Sequence, residues 1–182
     1  MLGAMNADES AAGVVPPPRN PAEPYRICMV CLGNICRSPT AEVVLREELR
    51  KAGLDGKVIV DSAGIGDWHL HEPMHSEARA ELSKRGLDGS GHVARQIDGS
   101  WLPGYDLVLA MDRRNLAGLR RLASGQEDVA GRIQMMRSFD PASEPGAEVP
   151  DPYEGKRDDF VLVYDLVAAA AAGVARQLAG VL

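Results

Sequence analysis

Residues 26–39 restrict the fold more than any other stretch of this 182-residue chain. Residues 26–31 (RICMVC) are a short apolar run suited to a buried strand. Ser38-Pro39 then opens a helix in which Ala41, Val44, Leu45 and Leu49 share one face until Gly53. A strand that is apolar throughout must be covered on both faces, and helices that cross back over a sheet supply that cover. The alternation continues downstream. Residues 57–61 (KVIVD) read as a second strand, 74–85 (MHSEARAELSKR) as a helix stopped by Gly86, and 105–111 (YDLVLAM) as a third strand. A helix through 115–122 and a weak fourth strand at 131–135 follow, and residues 139–155, rich in Pro, Asp and Glu, read as loop. From about residue 158 a last helix places Phe160, Tyr164, Val167, Ala171, Val174 and Leu178 on one stripe, with the alanines of 168–172 predicting close packing. The pattern predicts an α/β domain with a parallel sheet and crossover helices.

With 45% apolar residues the chain can bury one core but is too short for two. Residues 1–24 hold Pro16, Pro17, Pro18, Pro21 and Pro24 and little apolar periodicity, so a disordered Pro-rich tail is expected there, with the folded domain at 25–182. The net charge of −6, from 20 Lys+Arg against 26 Asp+Glu, argues against a general attraction to nucleic acid; any anion site must be local. No leader pattern opens the chain, and Asp165 and Arg176 interrupt its apolar C-terminal run, so no membrane insertion is expected. Cys28, Cys31 and Cys36 crowd into one segment in an odd number, which fits a reducing cytoplasm better than a disulfide framework.

The chemistry concentrates between Cys31 and Pro39. At the carboxyl end of a strand, where a helix begins, free backbone N–H groups make a ready anion site. Cys31, five residues, then Arg37 would wrap a loop whose amides converge on one oxyanion while the guanidinium forks two of its oxygens. That field is expected to hold Cys31 as a thiolate, able to attack phosphorus and form a thiophosphate intermediate. Gly33 permits a tight path, Asn34 tolerates left-handed backbone, and Ser38 is expected both to cap the helix and to donate to a sulfur leaving group. The leaving oxygen needs a proton, and Asp151-Pro152-Tyr153 on the long loop is the best source. These features predict a cysteine-dependent phosphate-ester hydrolase.

Plainer readings stand beside these. Asp151 taken alone is an ordinary turn residue, and Cys28 reads as a small apolar strand residue. Cys36 either packs the loop or traps oxidised Cys31 as a disulfide. Trp68 and Tyr153 are either rim aromatics of a site or surface anchors. His69, His71 and His75 with Glu72 have metal-like composition without a tetrahedral spacing, so no metal is expected.

Five motifs, in order, resemble the low-molecular-weight protein tyrosine phosphatases: Cys31-Leu32-Gly33-Asn34-Ile35-Cys36-Arg37-Ser38-Pro39, Asp61-Ser62-Ala63-Gly64, Trp68-His69, Ala110-Met111-Asp112 and Asp151-Pro152-Tyr153. The resemblance implies a single-domain three-layer sandwich, its four-stranded parallel sheet in the order 2-1-3-4, with no metal or organic cofactor. It implies Cys31 as nucleophile, Arg37 as phosphate ligand and Asp151 as general acid. Leu32, Gly33, Asn34, Ile35, Cys36 and Ser38 would form the phosphate loop, supported by Ser62 and His92, and Trp68 and Tyr153 would flank a phenol ring. The implied substrate is a phosphotyrosine protein, with a tyrosine kinase as counterpart. The family often has a second aromatic after Asp-Pro-Tyr; here Glu154 puts a negative charge at that wall. Related arsenate reductases use downstream cysteines, and none follows Cys36. Protein-arginine phosphatases, which resemble the family too, typically carry threonine where this chain has Ile35. A redox-sensing phosphate-binding module is the non-enzyme alternative.

A thiol and a carboxylic acid sharing one anion site predict a bell-shaped kcat/KM profile on the acidic side of neutral. A profile flat between about pH 4.5 and 8 on an aryl phosphate would contradict it.

Overall fold

The computed structural model describes residues 12–182. Strands β1 (Tyr25–Cys31), β2 (Val58–Gly64), β3 (Leu107–Ala110) and β4 (Ile133–Met135) form one sheet in the order β2-β1-β3-β4. Every neighbouring pair is parallel. Helices α1 (Arg37–Lys51), α2 (Ser76–Lys84), α3 (Arg113–Leu122), α4 (Glu127–Ala130) and α5 (Arg157–Ala179) cover it, with 3-10 turns at Gly99–Gly104 and Met136–Phe139.

Alternation along β1 divides the interior into two cores. Tyr25, Ile27, Met29 and Cys31 face α1, α2 and α5, while Cys28 and Val30 face the layer of α3 and α4 with Leu102, Leu116, Leu119 and Val129. From Ile27 to Cys31 neither face of the strand meets solvent, which accounts for the continuous apolar run there. α1 buries Ala41, Val44, Leu45 and Leu49 as the spacing predicts. It ends where Gly53, at φ 72°, turns the chain in left-handed backbone and donates its N–H to the Arg50 carbonyl. Arg50 and Lys51 complement the dipole in the last turn. On α5 the expected stripe is buried except at Tyr164. That ring lies half-exposed beneath the Arg85 guanidinium at 4.3 Å, and Val163 takes the inward position.

Several boundaries differ from the sequence reading. β2 runs three residues past Asp61, because Ser62, Ala63 and Gly64 pair with Met29, Val30 and Cys31. β3 spans only Leu107–Ala110, shorter than 105–111; just before it, the Asp106 carboxylate accepts the N–H groups of Arg19 and Arg26 while its own N–H donates to the Arg26 carbonyl. Met74 precedes α2, where it is buried, and His75 caps that helix by accepting the Glu77 N–H.

The expected tail requires a sharper correction. Residues 1–11 lie outside the described residues, but 12–24 run against the domain. Val15 is buried in the core, and Gly13 donates its N–H to the Ser138 carbonyl. The Gln134 side-chain amide both accepts from and donates to the Val14 backbone, Gln177 does the same for Val15 and Gly13, and the Tyr25 hydroxyl donates to the Pro16 carbonyl. Prolines lower the conformational entropy that such an extended segment loses, and partners distant in sequence supply its hydrogen bonds.

α5 approaches the Met136–Phe139 turn so closely that a Cβ at Gly173 would collide with the Phe139 carbonyl oxygen. Helix propensity alone predicts that Gly173→Ala stabilises by about 1 kcal/mol. Overpacking predicts a loss of about 1–3 kcal/mol, and a lowered urea midpoint is the expected outcome.

Candidate active site

The chain leaves β1 with β2 on one side and β3 on the other, so its carboxyl end opens a crevice between diverging connections. Cys31, the last residue of β1, faces that crevice and is buried. The next residues fold back over it. Asn34 adopts φ 57°, as expected of an asparagine in a tight corner, and donates its N–H to Cys31 Sγ at 3.3 Å. Its amide group is engaged on every side. Nδ2 donates to Ser38 Oγ and Ser62 Oγ, each at 2.9 Å, and Oδ1 accepts the Arg95 N–H at 2.9 Å. The Asn34 carbonyl accepts from His92 Nε2 at 2.6 Å. Ser38 Oγ, which accepts from Asn34, lies 3.0 Å from Cys31 Sγ and donates to the Ala63 carbonyl at 3.4 Å. Ser62 likewise passes its proton to Glu42 Oε2 at 2.5 Å.

Ser38 is within hydrogen-bonding distance of the sulfur but does not cap the helix. It lies inside α1, whose N-cap position is Cys36, and no side chain caps that helix. The uncapped first turn leaves N–H groups directed at the crevice, where an anion can take them.

Arg37 is almost fully buried and reaches the site from the first residue of α1. Its Nη1 donates to Asp112 Oδ2 at 2.7 Å and to the Val149 carbonyl at 3.1 Å, and its Nη2 meets Asp151 Oδ2 at 3.2 Å. Burial acts against the guanidinium charge, and the Cys31 sulfur with the Asp112 and Asp151 carboxylates outweighs it, so its proton is held more firmly than usual. The Val149 N–H donates to the Met111 carbonyl at 2.8 Å, which anchors the long loop just before Asp151 to the end of β3. Cys36 is a buried thiol whose pKa is pushed up to about 12 by burial, with the Cys31 sulfur and the Asp151 carboxylate adding to it. Among the described residues the three cysteines are free.

Cys31, Leu32, Gly33, Ile35, Cys36, Arg37, Trp68, His69, Asp151 and Tyr153 line one pocket of about 200 Å³. Trp68 and Tyr153 stand exposed at its mouth. Asn34, Ser38, Ser62 and His92 lie behind it as the hydrogen-bonded support just described. Three further participants escaped the sequence reading. Asp112, quoted in a motif without a role, holds Arg37; Glu42 holds Ser62; Arg95 holds Asn34 by its backbone and the Ser62 carbonyl by Nε at 2.9 Å. Asp112 sits just past a strand end beside β1, which was a usable signal. Glu42 and Arg95 carry none. Among the described residues no cluster of His, Cys, Asp and Glu is placed to hold a metal ion, and no helix is long and apolar enough to cross a membrane.

A buried sulfur at a strand end, met by the Asn34 N–H three residues on and sharing its pocket with an arginine six residues on, is the arrangement of a cysteine-loop phosphatase on an α/β fold. The family model for low molecular weight phosphotyrosine protein phosphatases matches residues 26–180. A Streptomyces coelicolor low molecular weight protein-tyrosine-phosphatase is 46% identical over 151 residues, covering 82% of this chain and 91% of that protein. The crystal structure of YfkJ from Bacillus subtilis superposes with a TM-score of 0.80 at 34% identity, over 87% of this chain and 97% of that one. A protein tyrosine phosphatase from Entamoeba histolytica, with Hepes in its active site, gives 0.79 at 32%, over 85% and 96%. The chain belongs to the low molecular weight phosphotyrosine protein phosphatase family.

Burial holds the His92 pKa below its ordinary value, although the Asn34 carbonyl opposes this. A histidine depressed in the folded state contributes stability that is complete above the unfolded pKa of about 6.5 and is lost as pH falls through the folded value. Urea midpoints measured at about pH 7.5 and 5.5 should fall more for the native chain than for His92→Gln, by at most about 1.4 kcal/mol per pH unit. Equal slopes would contradict the assignment.

Proposed function

We propose that the protein hydrolyses phosphotyrosine in protein substrates through a phosphocysteine intermediate, without metal or organic cofactor. The observation that carries this is the convergence in one pocket of Cys31, Arg37 and Asp151, with the Asn34 N–H and Ser38 hydroxyl meeting Cys31 Sγ from behind. The substrate dianion would seat its oxygens on the loop amides of 32–37 and on the Arg37 guanidinium. Its arrival displaces Asp151 from Arg37 Nη2, leaving that carboxyl free to turn to the leaving oxygen.

Cys31 Sγ then attacks phosphorus in line. A P–S bond forms as the P–O bond to the phenol breaks, and the proton of Asp151 passes to the departing oxygen. In the second step a water attacks phosphorus and Asp151, now a carboxylate, takes its proton. The sulfur leaves as a thiolate that accepts from Ser38 and Asn34. Trp68 and Tyr153 flank the phenol ring, and Ile35, buried in the pocket wall, presents an aliphatic surface suited to a ring. The Hepes in the Entamoeba relative carries a sulfonate, which has the tetrahedral oxygens of a phosphate ester. The three free thiols fit a reducing compartment such as the cytoplasm, where a tyrosine kinase would supply the substrate.

On reduced protein with p-nitrophenyl phosphate, Cys31→Ser should abolish turnover and Asp151→Asn should lower kcat by about 10²–10⁴-fold. Persistent turnover in Cys31→Ser ends the nucleophile assignment. Ile35→Thr should lower the ratio of phosphotyrosine to phosphoarginine peptide turnover, and an unchanged ratio would remove Ile35 from specificity.

A further inference from the structure

The side chain of His69 touches both halves of the site. Its ring edge lies against Gly33 of the phosphate loop, where a Cβ would fall 2.8 Å from His69 Cδ2. Its ring centroid is 5.4 Å from that of Tyr153, two residues past Asp151, at a 53° tilt. Glu72 fixes the imidazole from a third side, its Oε2 accepting from Nδ1 at 2.8 Å, while the Glu72 N–H donates to the His69 carbonyl.

A second imidazole holds the other flank of Tyr153. His75 meets it edge-on at 5.9 Å and stacks on Phe160 of α5 at 4.9 Å. The His75 N–H donates to the Ile35 carbonyl at 2.8 Å, so this residue too is tied to the phosphate loop. The Tyr153 N–H in turn donates to Asp151 Oδ1 at 3.1 Å, which couples the ring's position to the carboxyl group. An unbroken chain of contacts runs from Gly33 through His69 and Tyr153 to Asp151.

We infer that His69 is a positioning residue for the general acid: wedged between Gly33 and Tyr153 and braced by Glu72, it sets the placement of Asp151 over Cys31. The inference rests on the acid role proposed above for Asp151. A mere wall of the pocket would affect all substrates alike. A residue that places the acid matters most when the leaving oxygen needs a proton, so leaving-group dependence separates the two.

The test measures kcat/KM for phenyl phosphate, a poor leaving group, and 2,4-dinitrophenyl phosphate, a good one. His69→Ala should lose about tenfold on the first and less than about threefold on the second. Glu72→Ala, at an exposed side chain that folding tolerates, should show the same pattern with a smaller loss. His69→Phe, which keeps a planar ring against Tyr153, should recover most of the phenyl phosphate rate. Combined with Asp151→Asn, His69→Ala should add no more than about a twofold loss on either substrate. Equal losses on both substrates in His69→Ala, with Asp151→Asn still selective against phenyl phosphate, overturn the positioning role alone. An Asp151→Asn variant with no leaving-group selectivity overturns the acid assignment and this inference with it.

Discussion

The phosphate loop depends on Asn34. Its backbone, at φ 57°, turns the chain so that its own N–H meets Cys31 Sγ, and its side chain bonds to Ser38, Ser62 and Arg95. Left-handed backbone is unfavourable for most residues, and a loop of unpaired amides has no intrinsic reason to hold a ring. Here the polar atoms of the asparagine are satisfied from four parts of the fold: β1 through Cys31, α1 through Ser38, β2 through Ser62, and the segment before Gly99 through Arg95 and His92. Such a network rigidifies only when it is complete, because a buried polar group left unpaired costs about 1–3 kcal/mol. The donors that meet Cys31 are therefore in place before any substrate arrives, which is the electrostatic preorganisation that phosphoryl transfer uses.

Around that ring the sheet acts as a scaffold of strand ends. β1 delivers Cys31, β2 delivers Ser62, and β3 ends just before Asp112, so three neighbouring strands bring the thiol, the hydroxyl that holds Asn34 and the carboxylate that holds Arg37 to one end of the sheet. The parallel register makes this possible: Met29 lies beside Ser62 and Val30 beside Ala110. Asp151 comes from elsewhere. It arrives on a loop pinned to Met111 and packed through aromatic contacts of Tyr153, and it rests on Arg37.

Much of this was legible in order along the chain. The apolar run of β1, the Gly-Asn corner and the Ser-Pro helix start are local features, and each obeys a local rule of backbone geometry or burial. The apolar face of α1 and most of the α5 stripe follow from periodicity. Ser38 was misjudged as a cap because the same hydroxyl serves either a helix terminus or a neighbouring sulfur, and only the path of the loop decides between them. The Pro-rich segment was misjudged for a related reason. Val15 contributes little apolar surface locally, yet Gln177 reaches it, and Gln134 reaches Val14, from over a hundred residues away.

The sequence by itself determined the Cys31–Arg37 spacing, the Asp151-Pro152-Tyr153 turn and the alternation that produces a parallel sheet, because spacing along the chain sets these through strand and helix periods and through steric rules at glycine, asparagine and proline. Only the tertiary structure decided which side chains complete the ring. Glu42, Arg95 and Asp112 are ordinary charged residues in the linear text. They acquire roles because strand order and register bring them within hydrogen-bonding distance of Ser62, Asn34 and Arg37, and such distances are a property of the packed sheet, with no counterpart in the order of residues.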